Sequence, residues 1–169
     1  MIDPAYVRAM AQYNAWQNNQ LLPILNAMTF DDLTKERGAF FGSIFGTLNH
    51  LLWGDTLWLN RFDPSVLAAE AAMPHSLTLY PTLAEWSAQR FRTDGRITLW
   101  AERLKAVDLI GDLTMHNRAQ DREMTKPMAS CVIGFFNHQT HHRGQVHAML
   151  TAAGQDAPVS DLIYMPPLQ

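Results

Sequence analysis

The sequence predicts an all-α protein, a four-helix bundle with a long crossover connection between its second and third helices. Three observations predict it: apolar stripes at helical spacing, capping signals where these stripes begin, and a proline-containing segment at 64–80 without helical periodicity. A connection of that length favours a bundle with a crossover. The 169 residues suffice for one core, and we expect a single domain over 1–169.

The first two predicted helices have clear starting signals. The first covers about 4–27, with Asp3 as its capping residue and proline at its first position. The second begins after Ser43, whose hydroxyl can cap it, and continues through regularly spaced leucines. It ends at Asp63, because the residue before a proline disfavours helical backbone.

The third predicted helix begins at a capping box. In Thr82-Leu83-Ala84-Glu85, the threonine hydroxyl can accept from the amide of Glu85 while the carboxylate of Glu85 reaches back. Apolar residues then recur at intervals of three and four as far as Val107. We expect this helix to end before Gly111.

The segment 112–126 loses helical periodicity and favours a short hairpin around Ala119-Gln120-Asp121. Pro127 can then open the fourth predicted helix, which carries four histidines and ends near Gly154. The prolines that follow indicate a non-helical tail.

Composition narrows the classes of function. A formal charge of −3 without a basic cluster argues against a nucleic-acid partner. The single cysteine, Cys131, excludes an intrachain disulfide, and no signal peptide or membrane-spanning apolar run is present, so we expect a cytoplasmic protein without a membrane partner. Only 17% of residues are charged, which favours a homodimer with a buried interface.

The histidines of the fourth predicted helix have the spacing of metal ligands. His138 and His142 are one turn apart on one face, so both imidazoles can bind one ion. His147 points about 180° away from His138, and His141 borders the pair without being placed to share an ion with both. A third ligand must therefore come from another helix.

His50 is the best candidate for that ligand. It lies mid-helix in an apolar stretch, where an unpaired imidazole would carry a desolvation cost. An alternative is a core histidine bonded to a carbonyl or to Asn14, with the His138 cluster forming a solvated face.

Glycines recur beside these histidines. Residues four apart form one row, or ridge, along a helix. The two ridges that contain the histidines are Gly42-Gly46-His50-Gly54 and Gly134-His138-His142. A mid-helix glycine costs about 0.5–1 kcal/mol relative to alanine, so each needs a local reason. Two interpretations stay open: the missing side chains leave room for water or substrate beside a metal, or they allow close helix crossing.

Other residues divide into pocket candidates and isolated groups. Trp53, one turn from His50, could line a pocket, and His141 and Gln145 are candidates for groups that face the substrate or support the ligands. His75 and His116 are isolated in predicted loops, where we expect them to be solvated.

Taken together, the chain resembles the DinB-like (DinB/YfiT) family of bacterial four-helix-bundle metalloproteins over nearly its whole length. The resemblance rests on Tyr13-Asn14-Ala15-Trp16-Gln17-Asn18 with Leu21-Leu22, Asn49-His50, Asn137-His138-Gln139-Thr140-His141-His142-Arg143-Gly144-Gln145, and Asp161-Leu162-Ile163-Tyr164. It implies a bundle with one long crossover, frequent homodimers, and a divalent metal ion, often nickel or zinc. The implied ligands are His50, His138 and His142, the three that spacing also selects.

The activities of this family vary, so the resemblance defines the site better than the reaction. Three imidazoles leave coordination positions open, as in catalytic sites. We therefore expect a metal-dependent enzyme acting on a small-molecule substrate, in which the ion activates either a low-molecular-weight thiol, as in an S-transferase, or water, as in a hydrolase. The alternative is a non-enzymatic, stress-related metal-binding protein whose ion stabilises the bundle. The sequence names neither the substrate nor the physiological metal.

Overall fold

A computed structural model describes residues 2–68, 73–117 and 121–167 and confirms the all-α bundle. The described residues form the helices α1 (Pro4–Ala27), α2 (Phe30–Thr34), α3 (Ile44–Phe62), α4 (Leu83–Arg103) and α5 (Met128–Ala152), and a hairpin of β1 (Asp112–Asn117) and β2 (Arg122–Pro127). The four predicted helices correspond to α1, α3, α4 and α5. Within these residues, no helix combines the length and the apolar character needed to cross a membrane.

The predicted capping residues start three of these helices. The side chain of Asp3 accepts from a backbone amide of α1, and the hydroxyl of Ser43 does the same for α3. Both halves of the capping box are present at α4, where the Thr82 hydroxyl accepts from the Glu85 amide and the Glu85 carboxylate accepts from the Thr82 amide. Local hydrogen bonding therefore sets these starting points.

The third predicted helix is shorter than its apolar stripe. α4 ends at Arg103, and Leu104 adopts an extended backbone. The carboxylate of Asp108 accepts from the Lys105 amide at 2.8 Å and begins a separate 3-10 turn. The expectation that the helix continues to Val107 was wrong, because this local cap competes with helix continuation.

The predicted hairpin is present. Its strands are antiparallel, with Met115 opposite Met124. Of the expected centre, Ala119 and Gln120 lie outside the described residues, whereas Asp121 has a left-handed φ of 46°. Pro127 ends β2 and caps α5 instead of occupying its first helical position.

The bundle packs α1 against α4 and α5, and α3 against the same two helices. α3 and α5 are antiparallel. His50 in the first half of α3 contacts His142 in the second half of α5, while Phe62 at the end of α3 contacts Phe135 near the start of α5. This pairing determines which residues of the two helices meet.

A buried polar network joins α1, α3, α4 and α5. Arg90 donates to Asp55 at 2.5 Å and to Asp94 at 2.7 Å. Asn18 donates to both carboxylate oxygens of Asp94, and Gln139 donates to Asp55 at 2.5 Å. Buried charges require such partners, so the network specifies how the helices align. The sequence analysis did not identify it.

The crossover between α3 and α4 is attached to α3. The Asn49 side chain donates to the Tyr80 carbonyl at 3.3 Å and accepts from the Tyr80 amide at 2.8 Å. A 3-10 helix over Met73–Thr78 packs against α3 just before this attachment. The crossover therefore packs against the part of α3 that carries His50.

Candidate metal centre

Three histidines converge between α3 and α5. Nε2 of His50 lies 3.2 Å from Nε2 of His138. One ligand nitrogen from each of His50, His138 and His142 lies within 4.8 Å of the other two. The one-turn spacing along α5 brings two of these rings together, and the antiparallel packing of α3 adds the third.

The other histidines lie outside this cluster. His141 is exposed, with its ring 4.8 Å from that of His142, so it borders the cluster. His147 lies on another face, where its Nε2 is 3.1 Å from a backbone carbonyl of the C-terminal segment. His75 and His116 are exposed as expected, but they lie in a 3-10 helix and in β1, not in loops.

Hydrogen bonds orient two of the three rings. Nδ1 of His142 lies 2.7 Å from Oε1 of Gln145, an oxygen that accepts hydrogen bonds, and this contact suits the tautomer in which Nε2 keeps its lone pair. Nδ1 of His50 lies 3.3 Å from the hydroxyl of Ser76. Gln145, predicted either to support the ligands or to face the substrate, contacts His142. Ser76 was missed because it belongs to the crossover.

The alternative for His50 can be tested directly. Among the described residues, the polar neighbours of its ring are Ser76 and His138, not a carbonyl or Asn14. Asn14 instead accepts a hydrogen bond from Arg143 on α5. Asn14 and the candidate centre are therefore separate parts of the core.

Aromatic rings surround His50. The ring of Phe41 packs on it at a centroid separation of 3.9 Å and also lies 5.2 Å from the ring of His142. The ring of Trp53 lies 5.5 Å from that of His50, as a pocket residue would. Phe41 gave no signal in the sequence because it precedes α3 in an irregular segment.

The structure gives a different reason for glycine at each of these positions. A Cβ on Gly54 would lie 3.0 Å from Cε1 of His138, and one on Gly46 would lie 2.8 Å from a backbone carbonyl oxygen, so both permit close approach. Gly42 precedes α3 and has a φ of 72°, so its placement on the helical ridge was wrong. Gly134 has open space around its Cβ position.

The three imidazoles are neutral at pH 7. Burial, followed by repulsion from the neighbouring histidines, lowers the pKa of His50 to about 3 and that of His138 to about 4. Burial also lowers the pKa of His142. Neutral imidazole is the form that binds metal ions, so acid competition is weak near neutral pH.

The geometry suits one divalent ion. Metal–nitrogen bonds of about 2.0–2.1 Å at tetrahedral angles place two ligand nitrogens about 3.3 Å apart, close to the 3.2 Å between His50 and His138. Nδ1 of His138 is buried without a hydrogen-bond partner among the described residues, whereas Nε2 is the nitrogen of this ring that faces His50. Among those residues no carboxylate or thiol completes the cluster. The oxygens of Asp55 are already bonded to Arg90 and Gln139.

Comparison with known proteins identifies the family. The model of the DinB family matches residues 1–167. The chain belongs to the DinB family. It is 25% identical over 153 residues to "Protein DinB" of Bacillus subtilis (strain 168), covering 89% of this chain and 87% of that relative. DinB family membership and the three-histidine cluster are together compatible with metal binding.

Proposed function

We propose that this protein is a metal-dependent enzyme acting on a small-molecule substrate, with one divalent ion held by His50, His138 and His142. The observation that carries the proposal is the convergence of three neutral imidazoles without a fourth protein ligand among the described residues. A site of three protein ligands retains positions for an external ligand, which distinguishes catalytic from closed structural sites.

The surrounding residues support this chemistry. Gln145 and Ser76 hold two ligand rings in orientation. Trp53 and His141 border the cluster and are candidates for substrate contact. The chemistry that a divalent ion supplies is Lewis acidity, which favours loss of a proton from a thiol or water at neutral pH. The proposed reactions are therefore thiol transfer, with a low-molecular-weight thiol as cosubstrate, or hydrolysis.

Nickel and zinc are the ions that we propose, because imidazole nitrogens suit both. Elemental analysis of the purified protein would measure which ion is present and in what ratio. A ratio near one ion per chain supports the centre, and the absence of uptake from added nickel and zinc would contradict it.

Substitution of each ligand tests the assignment. We expect His50→Ala, His138→Ala and His142→Ala each to weaken metal affinity strongly in calorimetric titration, because each removes one of three ligands. His147→Ala is the matched control, since it changes a histidine on another face of α5. Affinity at the wild-type level in any of the first three variants would exclude that residue as a ligand.

Cobalt substitution separates the two branches of the proposed chemistry. Added thiol should change the visible spectrum of the Co²⁺-loaded protein through new sulfur coordination if a thiol is the cosubstrate. A spectrum that does not change when thiol is added, but changes with pH, would favour activation of water. A screen of thiol conjugation and ester hydrolysis would then test each reaction directly.

A non-enzymatic role for the ion is the competing proposal. Its support is the position of the cluster, since an ion bound there would link α3 to α5. Thermal unfolding with and without a chelator measures this contribution. A large loss of stability on chelation, with no activity in the screen, would favour a stress-related protein whose ion stabilises the bundle.

We also propose a homodimer. Four apolar side chains of the C-terminal segment are exposed, and they provide a surface for association: Val159, Leu162, Ile163 and Tyr164. Light scattering at micromolar concentration should give twice the chain mass of 19.1 kDa. A monomer mass under these conditions would reject the proposal.

A further inference from the structure

A continuous face leads away from the three histidines along α3 and α5. The residues on it are His50, Gly54, Trp58 and Arg61 on α3, and His142, His138, Gly134 and Cys131 on α5. Intervals of four, four and three residues keep each series on one side of its helix. Because the helices are antiparallel, both series advance in the same direction from the cluster.

A cavity of about 410 Å³ lies at the far end of this face, between the two helices and the hairpin. Its apolar lining includes Trp58 and Cys131 from the helices and Met115 and Met124 from the hairpin. The two methionines are directly opposite each other in the strand register. Small-molecule sites have volumes of about 300–1,000 Å³ and mostly apolar walls, so this cavity has the character of a ligand site.

Two cations lie at the same cavity. Arg61 and Lys126 line it, and the guanidinium carbon of Arg61 is 4.6 Å from the ring centroid of Trp58. Burial raises the pKa of the Cys131 thiol, whereas both cations act to lower it and Asp112 acts to raise it.

Gly134 lines this cavity and lies one helical turn from His138 on α5. It is exposed and mid-helix, and a Cβ there would meet nothing within 4 Å, so helix packing does not require glycine. Glycine at such a position makes a helix less stable than alanine does. A larger side chain at this position would occupy space beside the cavity, which gives the glycine a reason that helix packing does not supply.

The face along α3 and α5, together with the cavity at its far end, is called the groove below. We propose that the groove binds the part of the substrate that lies away from the reacting end, an apolar chain that ends in an anionic group. The anionic group, a carboxylate or phosphate, pairs with Arg61 and Lys126, and the reacting end reaches the three histidines. The inference rests on the proposed function and names its substrate class, an organic anion with an apolar chain. Eleven residues separate His50 from Arg61, or about 16 Å along α3, which sets the upper length of this chain.

Binding to the metal-free protein tests the groove by itself. Octanoate and octan-1-ol, compared by calorimetric titration, share the apolar chain and differ in charge. The variant Arg61→Gln/Lys126→Gln should weaken octanoate binding about tenfold or more, since hydrogen bonds to charged groups contribute about 1.5–3 kcal/mol. Its affinity for octan-1-ol should not change. Equal octanoate affinity in the variant and the wild type would overturn the proposal.

A second variant tests the proposal by placing a large side chain in the groove. Gly134→Leu should abolish binding of both probes and leave the fold intact, because its Cβ position is open and leucine favours helix. Gly95→Leu is the matched control, since Gly95 is also an exposed helical glycine with open space, on α4. Unchanged octanoate binding by Gly134→Leu would contradict the groove.

The Co²⁺-loaded protein tests the link between groove and metal centre. The visible spectrum should be titrated by 8-mercaptooctanoate at lower concentration than by 2-mercaptoethanol, which is too short to reach the groove. Gly134→Leu should remove this advantage and leave the 2-mercaptoethanol titration unchanged. If the advantage persists in Gly134→Leu, the substrate inference fails. If the protein binds octanoate but no metal, the proposed function fails and the groove stands as an anion site.

Discussion

At the scale of single residues, the candidate centre depends on how closely a ring approaches a backbone. His138 packs its Cε1 edge against α3 at Gly54, while its Nε2 faces His50. The absence of a side chain at Gly54 therefore determines where this ring can lie. Mutation of groups that orient metal ligands typically lowers metal affinity by about 10–100-fold.

The substitution Gly54→Ala tests that dependence. The added Cβ would lie 3.0 Å from Cε1 of His138, so the ring must shift and we expect metal affinity to fall about tenfold. Calorimetric titration with zinc measures the change. Gly95→Ala is the control, because its Cβ would meet nothing within 4 Å. Unchanged affinity in Gly54→Ala would show that the ring accommodates the methyl group.

At the scale of elements, the centre is built from two helices and the crossover that covers them. Asn49 attaches the crossover through Tyr80, and the same segment carries Ser76 to Nδ1 of His50. Adjacent residues of α3 thus have separate tasks, since Asn49 holds the connection and His50 faces the cluster. The long connection is part of the site and not only a link between helices.

The substitution Asn49→Ala should loosen the crossover. It removes both hydrogen bonds to Tyr80 and a third to the Phe45 carbonyl, and it leaves the backbone groups of Tyr80 without these partners, so the free energy of unfolding should fall by about 1–3 kcal/mol. Urea denaturation measures the loss. Asn19→Ala, at an exposed position of α1, is the control and should leave stability nearly unchanged. Equal stability of the two variants would exclude an anchoring role for Asn49.

At the scale of the whole molecule, burial of the histidine cluster couples stability to pH. An ordinary histidine titrates near pH 6.5 in the unfolded chain, whereas the pKa of folded His50 is about 3 and that of His138 about 4. Below pH 6.5 the unfolded state therefore binds more protons than the folded state. Stability must decrease as the pH falls through this range.

We accordingly expect the metal-free protein to lose stability between pH 6.5 and pH 4. Urea denaturation at several pH values measures the dependence. The variant His50→Ala/His138→Ala should show a shallower one, and this comparison isolates the histidines from buried carboxylates such as Asp55. Identical pH dependence in the variant and the wild type would contradict the assigned pKa shifts.

The sequence by itself determined the features that depend on neighbours within one helix. The cap at Ser43 and the capping box at Thr82 are closed by backbone amides three residues away. The pairing of His138 with His142 follows from helical periodicity in the same manner. Such features need no knowledge of packing, since the helix fixes the distance between their atoms.

The tertiary structure decided everything that required a partner from another element. His50 stays a predicted ligand, and its place beside His138 depends on the antiparallel alignment of α3 and α5. Ser76 reaches the cluster from the 3-10 helix of the crossover and Phe41 from the irregular segment before α3, and neither segment has an α-helical periodicity that the sequence could reveal. The physical reason is that burial and contact across the chain are set by packing of the whole bundle, whereas sequence spacing fixes geometry only within a helix.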